Sequence, residues 1–176
     1  MMKEEQFSHR VMLGEQGEIA IPTVEFNLIF QLTHIFSHLM NEGIGLRQLV
    51  DYYYVLISDD LLLIRDRVQK ELKELGLWKF AGGIMYIMQE VFGMPASRLI
   101  VPPNEKYGKF VLNEVLEAGN FGKHDARNRF GRSKLGHNLQ RVYRDIRLMR
   151  YFPAEALCEP VFRIWHFFWR KSVSIR

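Results

Sequence analysis

PTVEFNLIFQLTHIFSHLMNEGIGLRQLVDYYYVL, residues 22–56, decides the fold. Val24, Leu28, Leu32, Ile35 and Leu39 recur at helical spacing, and Ile29, Phe36 and Met40 widen the stripe. That period predicts an amphipathic helix. Thr23 is placed to cap its start, and Gly43 to end it just after Asn41. Opposite the apolar stripe run Asn27, Gln31, His34, His38 and Asn41, polar but without Lys or Glu. An exposed face ordinarily carries charge, so a neutral polar stripe points to a polar cavity or an interface. A second helix is predicted from Leu46 to about Ile57, after the reversal permitted by Gly43 and Gly45.

Downstream the helical pattern continues. A third helix is expected from Ser58-Asp59-Asp60 with Leu61, Ile64, Val68, Leu72 and Leu75 inward, closed by Gly76. A fourth covers about Trp78 to Phe92; Gly82-Gly83 inside it either weakens it or lets another helix approach closely. After a loop from Met94 to Pro103, Asn104 caps a fifth helix reaching Ala118. A polar loop, GNFGKHDARNRFGR, leads to a sixth helix from about Ser133 to Tyr151, with Leu135, Leu139, Val142, Ile146 and Met149 inward and Arg141, Arg144 and Arg147 displayed elsewhere. Pro153 and Pro160 are read as breaks, and a last, aromatic helix begins at Pro160. Upstream, Phe7, His9, Val11 and Leu13 alternate before a Gly14–Gly17 turn and Ile19 and Ile21, which predicts a β-hairpin over 7–21. The fold class is thus mainly α, a bundle of six to seven helices with a short N-terminal β-hairpin. The expected division is a hairpin at 1–22 and a helical domain at 23–176.

Composition narrows the function. Cys158 stands alone, so no internal disulfide and no cysteine-based zinc site can form. The N-terminus has no apolar signal region and no run approaches a membrane span, so a cytoplasmic chain is expected. Residues 105–176 hold 15 Lys/Arg against 7 Asp/Glu, densest from Lys123 to Arg150, a pattern that favours an anionic partner as readily as a solvated face. A nucleic-acid partner is disfavoured, because neither a recognition helix nor a stacking platform is identifiable. The C-terminal helix mixes Phe162, Trp165, Phe167, Phe168 and Trp169 with Arg163, His166, Arg170 and Lys171. Apolar residues surround most of it, which favours docking on the core over a membrane partner; a membrane module would leave Trp165 and Trp169 exposed.

Few motifs carry chemistry. His34 and His38 share the spacing of two imidazoles on one metal, but Ile35 stands where a metalloprotease helix has Glu, and no third ligand is evident. Polar or interface histidines are the simpler reading. Arg47 and Asp51 have the spacing of a surface ion pair; alternatively Arg47 binds an anion and Asp51 orients it. Gly119, Gly122 and Lys123 have the wrong spacing for a P-loop, although Lys123, Arg127 and Arg129 remain candidates for anion contact. No serine, cysteine or carboxylate constellation forms a catalytic site, and no metal site is assigned.

The 22–56 stretch resembles the helical segment of a bacterial family known as uncharacterised nucleotidyltransferases. That segment carries a helix with a histidine and then a G-[IV]-G-L-R-Q-x-x-D-[WY] run, matched here from Gly43 to Tyr52 through Leu46, Arg47, Gln48 and Asp51. The loop GNFGKHDARNRFGR and the tail PVFRIWHFFWR resemble later parts of the family. The family is similar to polymerase-β-type enzymes, which hold two Mg2+ with a G-[GS] turn followed by D-x-D and a third carboxylate. This sequence lacks that motif; its close acidic pair, Asp59-Asp60, is adjacent rather than spaced by one. The resemblance therefore implies the C-terminal helical portion, with no cofactor of its own. An N-terminal catalytic domain would be its partner, would supply the Mg2+ site, and would have its sheet extended by the hairpin. It also implies that a nucleotide or other anionic ligand is covered by His34, His38, Arg47, Asp51 and the Lys123–Arg129 loop.

Overall fold

The computed structural model describes residues 9–58, 61–118 and 134–173. In chain order these form β1 (Arg10–Met12), β2 (Glu18–Ala20), α1 (Val24–Asn41), α2 (Leu46–Leu56), α3 (Leu61–Glu74), α4 (Trp78–Glu90), α5 (Glu105–Ala118), α6 (Lys134–Met149) and α7 (Pro153–Val173), with short 3-10 turns at Gly14–Gln16 and Ala96–Arg98. The described residues are thus mainly α, with seven α-helices and one two-stranded antiparallel hairpin. None of these helices is long and apolar enough to cross a membrane. Contacts divide the chain into two compact units, Met1–Leu39 with Gly43–His124, and Met40–Glu42 with Asp125–Arg176.

In the first unit, the hairpin pairs Arg10 with Ala20, Val11 with Ile19 and Met12 with Glu18. The connection bends through Gly14 and Gly17, both at positive φ. All six strand residues are exposed, so the hairpin adds no core. The core begins at α1, where the Thr23 hydroxyl accepts the Phe26 N–H at 3.3 Å as a helix cap. Leu28, Leu32, Ile35 and Leu39 are all buried on its inward stripe. On α3 the inward stripe shrinks to Leu61, Val68 and Leu72, while Leu75 lies beyond the helix and is exposed.

α4 is the most deeply buried helix, with Phe80–Met85, Ile87 and Met88 all inside. Its glycine pair marks a crossing with α5, as the second of the two sequence alternatives holds. A Cβ on Gly83 would lie 3.0 Å from both the carbonyl carbon and the Cβ of Tyr107. One on Gly108 would lie 2.2 Å from Tyr86 Cδ1 and 2.6 Å from Tyr86 Cβ. Hydrogen atoms in place of methyls are what bring these two backbones together. Asn104 fastens the same junction: its N–H donates to the Gly82 carbonyl at 2.8 Å, and its side-chain oxygen accepts the Tyr107 N–H at 3.3 Å to start α5. The segment between α4 and α5 is held by Gln69, which donates to the Ile100 carbonyl at 2.7 Å, and by Arg98, which donates to the Ser58 carbonyl at 2.6 Å.

The second unit departs from the sequence expectation in three ways. First, α7 runs unbroken from Pro153 to Val173 with Pro160 inside it. Pro153 suits a first helical turn, and the strong helix formers Ala154, Ala156 and Leu157 carry the helix past the one backbone hydrogen bond that Pro160 cannot donate. Second, α6 turns most of its predicted inward stripe outward: Leu139, Val142, Ile146 and Met149 are exposed, whereas Arg144, Asp145 and Leu148 are buried; Arg141 is exposed as expected, and the Leu135 side chain lies outside those described. The physical cause is polar pairing. Arg144 donates to the Asn41 carbonyl, one of the acceptors that the end of α1 leaves without an intrahelical partner. Asp145 accepts a charge-assisted bond of 2.7 Å from Arg163 on α7. Burial pushes the Asp145 carboxyl above the usual carboxylate range, and the Arg163 guanidinium opposes that rise. Third, the aromatic residues of α7 are exposed rather than docked, Trp165 and Trp169 included.

Candidate functional site

The reversal between α1 and α2 builds the site. Gly43, at φ +96°, donates its N–H to the His38 carbonyl at 2.7 Å and closes α1. Gly45 begins α2, and Gln48, three residues on, turns its side-chain oxygen back to accept the Gly45 N–H at 3.0 Å. This is the return half of a capping box. The two helices then face one another across a cavity of about 460 Å3, lined by Gln31, His34 and Ile35 from α1 and by Gln48, Asp51 and Tyr54 from α2.

Five of the six lining residues bear polar side-chain atoms, and Asp51 is the single carboxylate among them. Gln31 Oε1 is buried and has no hydrogen-bond partner, so an acceptor stands unused in a wall residue. His34 is steadied along α1. Its ring stacks on Phe30 at 6.0 Å, Phe30 stacks on Phe26 at 5.5 Å, and His38 meets His34 edge-on at 4.3 Å with the two Nε2 atoms 3.0 Å apart. One imidazole therefore donates and the other accepts. His38 itself is not among the cavity residues. Beneath α2, Tyr52 is fully buried, and its hydroxyl has no partner.

A family model described as Uncharacterised nucleotidyltransferase matches residues 4–93, just over half of the chain. The chain belongs to that family. No curated protein and no solved structure matches it. The match to the nucleotidyltransferase family takes in the hairpin and α1 to α4, and so every residue that lines the cavity. The GNFGKHDARNRFGR loop and the aromatic tail lie beyond the matched residues.

Of the residues singled out in the sequence, the structure brings His34 and Asp51 to one cavity, with His38 against His34. Arg47 is exposed on the first turn of α2 and is not among the lining residues. The simple Arg47–Asp51 ion pair does not form among the described residues; a pair of this kind at an exposed site gains too little to hold two long side chains together. Lys123, Arg127 and Arg129, like Asp59 and Asp60, lie outside the described residues. Gln48 and Tyr54 completed the site unforeseen. A glutamine three residues after a helix-starting glycine was the available signal for the first; the run of three tyrosines gave none for the second.

Two-metal nucleotidyl transfer needs at least a pair of carboxylates converging on the metals. Among the described residues no group of three or more His, Cys, Asp or Glu side chains is placed to hold a metal ion. These residues do not fit a Mg2+ pair, and no metal-dependent step is assigned to them.

Proposed function

We propose that this chain is the substrate-covering helical region of a nucleotidyltransferase, and that the cavity between α1 and α2 binds a polar part of the nucleotide or of the acceptor. The observation that carries this is the lining itself. The Asp51 carboxylate is an exposed acceptor in the cavity wall for a ligand with N–H or O–H donors, such as sugar hydroxyls or an exocyclic base amine, and the buried Gln31 oxygen is a second, unpaired acceptor within the same wall. Tyr54, two-thirds exposed at the rim, offers an aromatic face for such a ring to rest on.

Roles follow from position. His34 supplies a donor or acceptor according to its tautomer, and His38 fixes that tautomer across the 3.0 Å contact. Arg47, exposed on the same helix, is placed for a bidentate contact with a phosphate of a ligand that reaches out of the cavity. Lys123, Arg127 and Arg129 are further candidates for that phosphate. The transfer chemistry, with its Mg2+, belongs in this proposal to an N-terminal catalytic domain whose sheet the exposed hairpin extends, in the cytoplasm of a bacterium. The rival, a non-enzymatic module gripping an anionic partner through the basic 123–150 region, draws on the exposed Arg141 and Arg150.

The test is calorimetric or NMR titration of nucleoside triphosphates and of sugar phosphates into wild type, Asp51→Asn, His34→Ala and Arg47→Lys. The expected result is binding weakened roughly tenfold or more by each substitution, the equivalent of about 1.4 kcal/mol, with the thermal midpoint unchanged. No pyrophosphate should be released by the chain alone. Equal affinity across the four proteins removes the cavity from consideration, and loss of affinity only on neutralising Arg141 and Arg150 favours the rival.

A further inference from the structure

The second unit displays its apolar residues. α6 has a clear helical periodicity, yet its buried side carries the charged pair Arg144 and Asp145 beside Leu148. Arg144 and Asp145 are 7 % and 5 % exposed, whereas Val142 and Ile146 are 51 % and 62 % exposed. α7 repeats the inversion. Its polar side meets α6 through the 2.7 Å Arg163–Asp145 bond, so the polar strip of the helix is already spent inside the unit. Val161, Ile164, Trp165 and Phe168 follow at helical spacing and are 56–67 % exposed. Beside them Phe162 packs on Trp165 at 5.7 Å, and Trp165 stacks on Trp169 at 6.2 Å. The rings touch one another and leave their outer faces open. Two adjacent helices that turn charge toward each other and present apolar surface outward are built to meet something apolar outside.

Charge selects the occupant. Among the described side chains of α6, α7 and the turn joining them, the exposed charges are the cations Arg141, Arg150, Arg170 and Lys171, with Glu155 a half-buried acid in the first turn of α7. A second copy would bring like charges together. Lys171 Nζ lies 4.6 Å over the Phe167 ring, so cation and ring are offered as a pair. Indole and phenyl rings flanked by Arg and Lys suit the boundary between lipid headgroups and acyl chains, where the rings enter and the cations remain among the phosphates. α7 is too polar to cross a bilayer, so it would lie in the surface rather than span it. We infer that α6 and α7 form a docking surface for an anionic lipid membrane, with Trp165, Trp169 and Phe168 as the inserting residues. The inference stands on a different segment from the cavity and survives or fails independently of it.

The experiment is vesicle co-sedimentation of the full chain, using phosphatidylcholine alone and phosphatidylcholine mixed with phosphatidylglycerol. Quenching of tryptophan emission by brominated lipid is read on the same samples. Binding to the mixed vesicles, with quenching and with a preference over phosphatidylcholine alone, is the expected result. Trp165→Ala/Trp169→Ala should lower the partition constant roughly tenfold or more. Arg170→Gln/Lys171→Gln should lower it on mixed vesicles only and reduce the salt sensitivity, with Arg141 and Arg150 retained. Circular dichroism of each variant confirms that the helices persist; should the double Trp variant unfold, Phe168→Ser replaces it. Absence of binding to mixed vesicles overturns the inference. So does equal binding by all variants. A stable dimer in sedimentation that the Trp substitutions dissolve, without vesicle binding, assigns the surface instead to a second copy.

Discussion

Gly108→Ala should be the most informative single methyl in this chain. The added Cβ would stand 2.2 Å from Tyr86 Cδ1, 2.6 Å from Cγ and 2.6 Å from Cβ. The ring can rotate away, but Tyr86 Cβ is fixed to the backbone of α4. Carbon atoms settle at about 3.5–4.0 Å, so relief requires α4 and α5 to part by roughly 1 Å. Ala favours a helix over Gly by about 1 kcal/mol, and overpacking ordinarily costs about 1–3 kcal/mol. Here the cost should sit at the top of that range, because parting the helices also loosens the contacts at Gly82 and Gly83. The net expectation is a loss of about 2 kcal/mol. Urea unfolding followed by far-ultraviolet circular dichroism measures it, with an unchanged slope showing that the same surface is exposed. Adding Tyr86→Ala removes Cγ and Cδ1 but leaves Cβ, so it should restore only part of the loss. A Gly108→Ala protein as stable as wild type would refute the close crossing.

Tyr52→Phe should gain stability, about 1 kcal/mol, since it deletes a buried hydroxyl that has no partner; a clear loss in urea unfolding would show that the hydroxyl is bonded after all. Burial also holds the Tyr52 phenol far above its ordinary value. The unfolded chain then sheds that proton above about pH 10 while the folded chain keeps it, so this contribution to stability is complete below pH 10 and declines as pH rises. The stability difference between wild type and Tyr52→Phe should accordingly widen between pH 9 and pH 11 in the variant's favour. Arg163→Gln strands the buried Asp145 carboxylate and should cost about 1–3 kcal/mol at neutral pH. Because the Asp145 carboxyl is raised in the fold, and raised further without Arg163, that cost should shrink as pH falls toward about 4, which thermal melts across that range will show.

Helix positions were legible because local rules agreed with the fold. Thr23, Gly43 and Asn104 sit at helix ends as their chemistry predicts, and a close approach was one of the two readings that the Gly82-Gly83 pair left open. The faces of α6 and α7 were not legible. Periodicity says which residues share a side, but the further rule that the apolar side turns inward gave way to Arg144, Asp145 and Arg163, which pair across helices. The cavity was half legible. An uncharged polar stripe flagged Gln31 and His34, and the Leu-Arg-Gln-x-x-Asp run flagged Asp51. Tyr54 was not singled out because a tyrosine among three in succession carries no mark of which one faces the opening and which, like Tyr52, is sealed away.

Gln48 serves two masters. The oxygen that closes the first turn of α2 on Gly45 belongs to the same short amide that forms part of the cavity wall. A guest that bonds to the amide's nitrogen would leave the oxygen at its post and tighten the turn. A guest that competes for the oxygen would loosen it. Occupancy is thereby written into the backbone: the exchange rate of the Gly45 amide proton becomes a gauge of which end of Gln48 the guest holds.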